Sequence, residues 1–415
     1  MKNIYITNIL INSVSHLKNI EIPLSNEKKN LIITGKNGSG KTCLLDALAK
    51  HLQSLASEDA FGEYSKYLKN IQESLNRTHR NQNLGTINQI HEDVISWKNK
   101  LFEINNGLDI LFNIDASSIY KYFNDGEFVL AYYKADRVFQ IEEVKNVEKI
   151  SLNTKYLIEE KPSSKFVKYL VDLKVTEALA LTNGKERKAQ QIASWFQSLE
   201  DHLKVIFDDQ SLRLVFDDDV FNFYISINGR NNFDFNTLSG GYSAILDIVV
   251  DLIMRMEKIS NRRFEYTVPG IVLIDEIEAH LHLELQKNIM KFLTAIFPNI
   301  QFIVTTHSPF VVNSLDNVII YDLENGILVE NGLTNVPYKG IVEGYFRVDS
   351  CSKKLKDKFE RYKKLVKKKY LEDEDFAEIS RLQIYLEKIP DYLALDISTE
   401  YQMLKLEFEG RNDLE

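Results

Sequence analysis

The sequence has few of the features that mark secreted, metal-binding or membrane proteins. Its 415 residues include two cysteines, Cys43 and Cys351, which give neither a disulfide framework nor a metal-ligand spacing and fit a reducing compartment. The N-terminal residues lack the continuous apolar core and the cleavage site of a signal peptide. Asp247 and Asp251 interrupt the longest apolar stretch, so no bilayer span is expected. We therefore expect a soluble, cytoplasmic protein.

An excess of positive charge is also missing. The formal net charge of −9 gives no overall cationic field that would attract nucleic acid. The lysine-rich segment 353–369 is a local exception, and its apolar residues Leu355, Phe359, Tyr362 and Leu365 follow helical spacing. This segment is either an amphipathic helix that docks on the core with a solvated basic face, or a surface that binds nucleic acid or an acidic partner.

Hydrophobic periodicity predicts an α/β fold. Residues 3–11 and 18–24 indicate an antiparallel hairpin, whereas the apolar runs 270–275 and 301–307, with a helix between them, are typical of parallel strands in a βαβ unit. We predict one domain over residues 1–340 and a helical C-terminal region over 341–415. The domain is expected to contain an insertion over about 61–125, helical from 61 to 112, and a helical lobe over about 155–260.

A short strand, Leu31–Thr34, runs directly into Gly35-Lys36-Asn37-Gly38-Ser39-Gly40-Lys41-Thr42, and a helical pattern follows. This is the phosphate-binding loop motif GxxxxGK[ST] in the strand–loop–helix context that supports it. Its glycines allow backbone N–H groups to curl around a phosphate at a helix N-terminus. Lys41 is expected to reach the β- and γ-phosphates of ATP, and Thr42 to hold Mg²⁺.

The second apolar run, 270–275, predicts a strand that ends in the adjacent carboxylates Asp275 and Glu276. Asp275 suits a direct or indirect contact with Mg²⁺, and Glu276 is placed to polarise a water that attacks the γ-phosphate. An alternative interpretation is a transition-metal cluster, whose members would be Asp275, Glu276, Glu278, His280 and His282.

The run 301–307 predicts another buried strand, which ends in Thr306-His307-Ser308. A lone histidine is often a satisfied polar residue, but His307 ends a neighbouring core strand, at the sheet edge where ligands bind. We therefore predict that His307 senses the γ-phosphate.

The stretch Leu238-Ser239-Gly240-Gly241-Tyr242 opens a helix about two hundred residues after the phosphate loop. Ser239 and the backbone N–H groups of Gly240 and Gly241 predict a second anion site, unless Ser239 is an ordinary N-cap. Two complete anion cradles from one chain are hard to fit around one nucleotide. We therefore expect two copies to pair head to tail, so that this stretch of each copy closes the nucleotide site of the other.

Together these motifs resemble the Walker A, signature, Walker B and switch-histidine motifs of ABC-type ATPases, in that order. The hairpin and the lack of membrane spans are similar to the soluble SMC, RecF and OLD branch. The run DEIEAHLH and the run TTHSPF resemble the stand-alone ATPases of bacterial anti-phage systems, such as PtuA of Septu, some retron ATPases and AriA of PARIS. The resemblance covers about residues 1–60, 125–150 and 210–330.

The resemblance implies an ABC-type P-loop ATPase head, with a mixed sheet, an N-terminal antiparallel β-part, helical insertions and a helical tail. It implies ATP and Mg²⁺ as cofactors and assigns Glu276 and His307 to catalysis. The signature has Tyr242 where transporters have glutamine. No clear Q-loop glutamine follows strand 127–133; Arg137 or Gln140 could take its place, or this segment is a surface loop.

The function implied is an ATPase that forms ATP-sandwich dimers and scaffolds or regulates a separate effector nuclease of HNH or TOPRIM type. No such nuclease motif occurs in this chain, because the segment after residue 340 is short, basic and helical and no HNH-type Cys/His pattern is present. The alternatives are a RecF-like DNA-repair ATPase that binds DNA or RNA, and a transporter ATPase subunit, against which the signature, the unclear Q-loop and the large insertions argue.

Overall fold

The computed structural model describes residues 3–78, 84–342, 353–387 and 395–411. The chain divides into two compact units, Met1–Val336 and Pro337–Glu415. Within the described residues, no helix combines the length and the apolar character that crossing a lipid bilayer requires.

The described residues of the first unit form three β-sheets. Their strands are β1 (Ile6–Val14), β2 (Leu17–Pro23), β3 (Asn30–Thr34), β4 (Leu108–Phe112), β5 (Val129–Tyr133), β6 (Arg213–Asp217), β7 (Asn222–Ser226), β8 (Phe233–Asp234), β9 (Gly270–Ile274), β10 (Ile300–Thr305), β11 (Val318–Asp322) and β12 (Ile327–Val329).

The central sheet has the strand order β12-β11-β3-β10-β9-β5. It is mixed, because β12 is antiparallel to β11 whereas the other neighbouring pairs are parallel. The parallel strands are buried at every residue, as expected for strands covered on both faces. Their carboxyl ends lie at one edge, so the loops that follow β3, β5, β9 and β10 meet there. The predicted α/β class with a mixed sheet is confirmed.

The N-terminal sheet has the order β2-β1-β4, and both pairs are antiparallel. The predicted hairpin is confirmed, but the helical interpretation of 61–112 is wrong over Leu108–Phe112, which is a strand paired with β1. Its buried residues Leu108 and Ile110 alternate with exposed Asp109, a period of two in a segment too short for a stable helix. At the preceding turn, Gly107 has φ +76°, and a Cβ there would lie 1.9 Å from the carbonyl oxygen of Ser13. Only glycine fits that turn.

The third sheet, β6-β7-β8, is an antiparallel meander in the helical lobe. The helices of both units are α1 (Lys41–Ala56), α2 (Glu58–Thr78), α3 (Leu84–Ile104), α4 (Ala116–Asn124), α5 (Phe166–Thr182), α6 (Glu186–Phe207), α7 (Gly240–Ser260), α8 (Leu283–Ile296), α9 (Pro309–Val312), α10 (Tyr338–Gly340), α11 (Lys353–Val366), α12 (Asp373–Glu387) and α13 (Leu395–Glu409). α2 packs on α3, and α5 packs on α6.

α7 is buried along almost its whole length, including the charged residues Asp247, Asp251, Arg255 and Glu257. Asp251 accepts hydrogen bonds from the Tyr133 hydroxyl at 2.8 Å and from Nε of Arg255 at 2.7 Å. Nη1 of Arg255 donates to the carbonyl of Leu130 at 3.0 Å. Paired and hydrogen-bonded charges are tolerated in a core. They attach α7, and with it the signature motif at its start, to the edge strand β5.

The C-terminal unit has its own apolar core. Phe359, Tyr362 and Leu365 of α11, which the sequence placed on one helical face, pack against residues of α12 and α13 such as Leu382 and Tyr401. The basic residues of α11 lie outside this core, and two of them pair with acidic residues of α12 and α13: Arg361 with Glu378, and Lys363 with Glu400.

Candidate functional site

The glycine-rich loop joins the carboxyl end of β3 to the start of α1. Gly35, Gly38 and Gly40 have φ values of +137°, +83° and +96°, which L side chains rarely adopt. α1 has no side-chain cap at Gly40 and no acidic residue in its first turn. Its first N–H groups therefore have no side-chain partner at the N-cap, as in helix ends that bind phosphate.

Lys41 lies inside this loop and is 6% exposed. Its ammonium donates to the carbonyls of Gly35 at 2.9 Å and Lys36 at 3.0 Å. Burial lowers the pKa of Lys41, whereas the nearby carboxylates, Glu276 and Asp275 first among them, raise it. The buried hydroxyl oxygen of Ser39 has no hydrogen-bond partner among the described residues. The loop thus contains a buried cation and an unpaired hydroxyl, which fits a phosphate ligand.

Thr42 and Asp275 meet across the strand ends. The Thr42 hydroxyl donates to Oδ2 of Asp275 at 2.8 Å, and the Thr305 hydroxyl donates to Oδ1 at 2.6 Å. A hydroxyl beside a carboxylate is the all-oxygen donor set that Mg²⁺ prefers, so these residues fit that ion.

Glu276 follows Asp275 and has φ +44°, in the left-handed region. Its N–H donates to the Thr305 hydroxyl at 2.7 Å. The same hydroxyl therefore fixes both carboxylate residues, a role of Thr305 that was not predicted from the sequence. The sequence feature that could have identified Thr305 is its position at the end of the strand predicted next to β9.

His307 follows β10, and its backbone N–H donates to Oε1 of Glu278. Burial and the charge of Lys41 lower the pKa of His307, while Glu278, Glu276 and Asp275 oppose this. The ring is therefore neutral at pH 7 and able to accept or donate a hydrogen bond. The structure brings together Lys41, Thr42, Asp275, Glu276 and His307, all of which the sequence selected.

The signature residues lie at the start of α7. Ser239 and Gly240 are exposed at the start of α7, and Ser239 makes no side-chain capping bond. Gly241 is buried, and a Cβ there would lie 2.7 Å from the carbonyl oxygen of His280. Among the described residues, no hydrogen bond joins 239–241 to the phosphate loop of the same chain.

The loop after β5 contains Arg137 and Gln140, the two residues considered for the Q-loop. Gln140 is exposed, whereas Arg137 is buried against the turn at Asp275. The N–H of Phe139 donates to the hydroxyl of Ser243 in α7 at 3.0 Å. The loop therefore contacts both the carboxylate turn and the signature helix.

Lys36 forms an ion pair with Glu324, a residue that was not predicted from the sequence to lie near the site. The Lys36 ammonium lies 2.7 Å from Oε1 of Glu324, at the outer side of the phosphate loop. No local pattern could show this contact, because β11 brings Glu324 there from far along the chain.

The alternative of a transition-metal cluster finds no support: within the part of the chain that the structure describes, no three His, Cys, Asp or Glu residues are grouped to hold an ion. His280 and His282 are both exposed.

The chain is similar to ATPases of retron and Septu systems. It is 33% identical over 191 residues to the "Retron Ec83 probable ATPase" of Escherichia coli, covering 44% of this chain and 34% of that protein. It is 35% identical over 164 residues to "Septu protein PtuA" of Bacillus mycoides (strain KBAB4), covering 36% of this chain and 22% of that protein. The chain thus spans about a third or less of these relatives, and the resemblance drawn from the motifs is confirmed.

Among solved structures, an SMC head bound to the C-winged helix domain of ScpA matches with 15% identity and a TM-score of 0.38, covering 80% of this chain and 100% of that one. The family profile described as "AAA domain, putative AbiEii toxin, Type IV TA system" matches residues 87–313, a segment that begins after the phosphate loop. This match spans more than half of the sequence, and the chain belongs to that family.

Proposed function

We propose that this chain is an ATPase that binds ATP with Mg²⁺ and hydrolyses it. The observation that carries the proposal is the convergence of Lys41, Thr42, Asp275, Glu276 and His307 at the carboxyl ends of β3, β9 and β10. The backbone of Gly35, Asn37, Gly38, Ser39 and Gly40 would surround the phosphates, and the Lys41 ammonium would neutralise their charge.

Thr42 and Asp275 would hold Mg²⁺, which supplies charge neutralisation on the phosphates. Glu276 would accept the proton of the attacking water, and a general base of this kind contributes about 10²–10⁴-fold to the rate. The neutral His307 ring would donate a hydrogen bond to the γ-phosphate. Each role uses a side chain that the strand ends already place in one cluster.

The proposed site is completed by a second copy of the chain. Ser239 and Gly240 are exposed and Ser239 leaves its helix start uncapped, so this end can receive the γ-phosphate of another copy's nucleotide. The proposed assembly is a head-to-tail dimer with two ATP molecules between the copies.

The test is the mass of Glu276→Gln protein with and without ATP–Mg²⁺, measured by light scattering after gel filtration. We expect ATP to double the mass, and we expect Ser239→Arg to abolish this. Ser194→Arg, which adds the same charge to an exposed serine of α6, is the matched control and should still dimerise. Mass doubling that survives Ser239→Arg would exclude the shared site.

Hydrolysis is tested separately. We expect Glu276→Gln to lower the turnover number about 10²-fold or more while ATP still binds. Lys41→Ala should lose ATP binding itself. A wild-type chain that neither binds nor hydrolyses ATP would refute the proposed function as a whole.

We further propose that the chain serves an anti-phage system and scaffolds or regulates a separate effector nuclease. The retron and Septu relatives support this. A gene for a small nuclease or a reverse transcriptase beside the gene of this chain is expected. Co-expression of the two should reduce phage plaque formation, and Lys41→Ala should restore it; protection that persists in Lys41→Ala would separate defence from the ATP site.

A further inference from the structure

Arg137 binds the backbone of the turn that contains the proposed catalytic glutamate. It lies just after β5, the strand that pairs in parallel with β9. Nη1 donates to the carbonyl of Asp275 at 2.8 Å, and Nη2 donates to the carbonyls of Glu276 at 3.0 Å and Ile277 at 2.9 Å. One planar guanidinium therefore contacts three consecutive carbonyl groups.

These bonds act on a backbone that is unfavourable by itself. Glu276 is not a glycine, yet its φ is +44°, in the left-handed region that L side chains rarely adopt. The Thr305 hydroxyl accepts a hydrogen bond from the N–H of Glu276, and Arg137 donates to the carbonyl of Glu276. Together they fix the direction in which the Glu276 side chain leaves the chain.

The Arg137 side chain is itself held in place by its surroundings. The residue is 6% exposed, so its charge has been taken out of water. Burial lowers the pKa of Arg137, whereas Asp247, Glu278, Asp275 and Glu276 attract its charge and oppose that effect. A buried arginine surrounded by carboxylates and bonded to backbone carbonyls has little freedom to reorient.

We infer that Arg137 is a positioning residue, which sets the carboxylate of Glu276 for water activation by holding the backbone carbonyls of residues 275–277. It acts on Glu276 through the main chain and does not itself contact the nucleotide. The inference rests on the proposed ATPase function and deepens it, because it assigns the loop after β5 a role in geometry.

The first experiment is Arg137→Lys, measured as turnover number and KM for ATP. Lysine keeps the charge but presents one ammonium, which cannot span three carbonyls. Because Lys41 and Thr42 are untouched, we expect KM to stay within about threefold while the turnover number falls about 10–100-fold, the loss expected from a small displacement of a catalytic group.

The second experiment combines Arg137→Lys with Glu276→Gln. If Arg137 acts only through the Glu276 carboxylate, the double variant should hydrolyse ATP at the same residual rate as Glu276→Gln alone. If adding Arg137→Lys to Glu276→Gln lowers the turnover number by the same factor as Arg137→Lys does in the wild type, Arg137 acts by another route and the inference is overturned.

The matched control is Arg411→Lys. Arg411 also donates to three backbone carbonyls, those of Val366, Lys368 and Lys369, but it lies in the second unit, which holds none of the residues proposed to bind or hydrolyse ATP. We expect this variant to lower thermal stability while the turnover number is kept. Equal turnover losses in both variants would mean that Arg137 contributes stability alone.

Chemical rescue covers the case in which Arg137→Lys folds poorly. Arg137 lines a cavity of about 430 Å³ together with Gln140 and Ser164, which gives a small cation access. Arg137→Ala should therefore regain turnover in millimolar guanidinium chloride and not in sodium chloride of equal ionic strength. If Arg137→Lys turns over ATP like the wild type, or if guanidinium does not rescue Arg137→Ala, the inference is overturned and the proposed ATPase function is unaffected. If the wild type does not hydrolyse ATP, the proposed function itself is refuted.

Discussion

At the scale of single residues, His51 shows how burial changes the chemistry of a side chain. It lies in α1 and is 2% exposed, and its Nδ1 has no hydrogen-bond partner among the described residues. Burial lowers the pKa of His51 to about 4, although a bond to the backbone of Asn105 and the charge of Asp109 oppose the shift. The folded protein therefore holds this imidazole neutral where the unfolded chain would bind a proton.

His51 should make the protein less stable in mild acid. Its pKa is about 6.5 when unfolded and about 4 when folded, so the unfolded state binds the extra proton between these values. The free energy of unfolding should then fall as the pH drops from 6.5 to 4, by about 3 kcal/mol in total from this group, and stay unaffected by it above 6.5.

The measurement is urea unfolding at a series of pH values, for the wild type and for His51→Gln. The variant should lose less stability than the wild type between pH 6.5 and 4. His91→Gln, at an exposed histidine of α3, is the control and should follow the wild-type curve. Parallel curves for wild type and His51→Gln would contradict the burial argument.

At the scale of elements, α7 connects the signature to the rest of the site. Its start packs on the segment after Glu276, through Gly241 and the carbonyl of His280. In its first turn, the Ser243 hydroxyl accepts a hydrogen bond from the N–H of Phe139. Because the helix is buried on almost every side, a shift at its N-terminus has to move its neighbours as well.

The two signature glycines should respond differently to alanine. A Cβ at Gly241 would lie 2.7 Å from the His280 carbonyl oxygen, so Gly241→Ala should lower the free energy of unfolding by about 1–3 kcal/mol. A Cβ at Gly240 meets nothing closer than 3.8 Å, and Gly240→Ala should be neutral or slightly stabilising.

Thermal unfolding without nucleotide separates these two variants, because ATP contacts then play no part. The expected order of melting temperatures places Gly241→Ala below the wild type and Gly240→Ala at or above it. Equal melting temperatures would show that the start of α7 can move away from His280 at little cost.

At the scale of the whole molecule, the two units have separate apolar cores. The core of the first unit includes residues of β1, β3 and α1, whereas that of the second is built from α11, α12 and α13. All residues proposed to bind or hydrolyse ATP belong to the first unit.

Tyr362→Ala should therefore unfold the second unit and spare ATP binding. Tyr362 is fully buried, with its ring centroid 5.2 Å from that of Tyr401, and its truncation should cost about 3–5 kcal/mol. Tyr370→Ala, at a residue that is 79% exposed, is the control and should leave stability unchanged. Limited proteolysis would report the unfolding of the second unit, and ATP titration would report binding by the first. Loss of ATP affinity in Tyr362→Ala would contradict the prediction that ATP binding is spared.

The sequence by itself determined the α/β class, the phosphate loop, the carboxylate pair and His307. Each of these is written in a few adjacent residues: apolar strands, glycines at a turn, and polar residues where a strand ends. Parallel strands place such ends at one edge, so the convergence of the five site residues could be predicted from local patterns.

Only the tertiary structure decided the contacts between distant segments. The pairing of β4 with β1, the bond from Thr305 to Asp275, the pair of Lys36 with Glu324 and the guanidinium of Arg137 on residues 275–277 join parts of the chain far apart in sequence. Such contacts depend on which surfaces pack together, and packing is a property of the whole fold. The sequence therefore determined which groups do the proposed chemistry, and the fold decided what holds them in place.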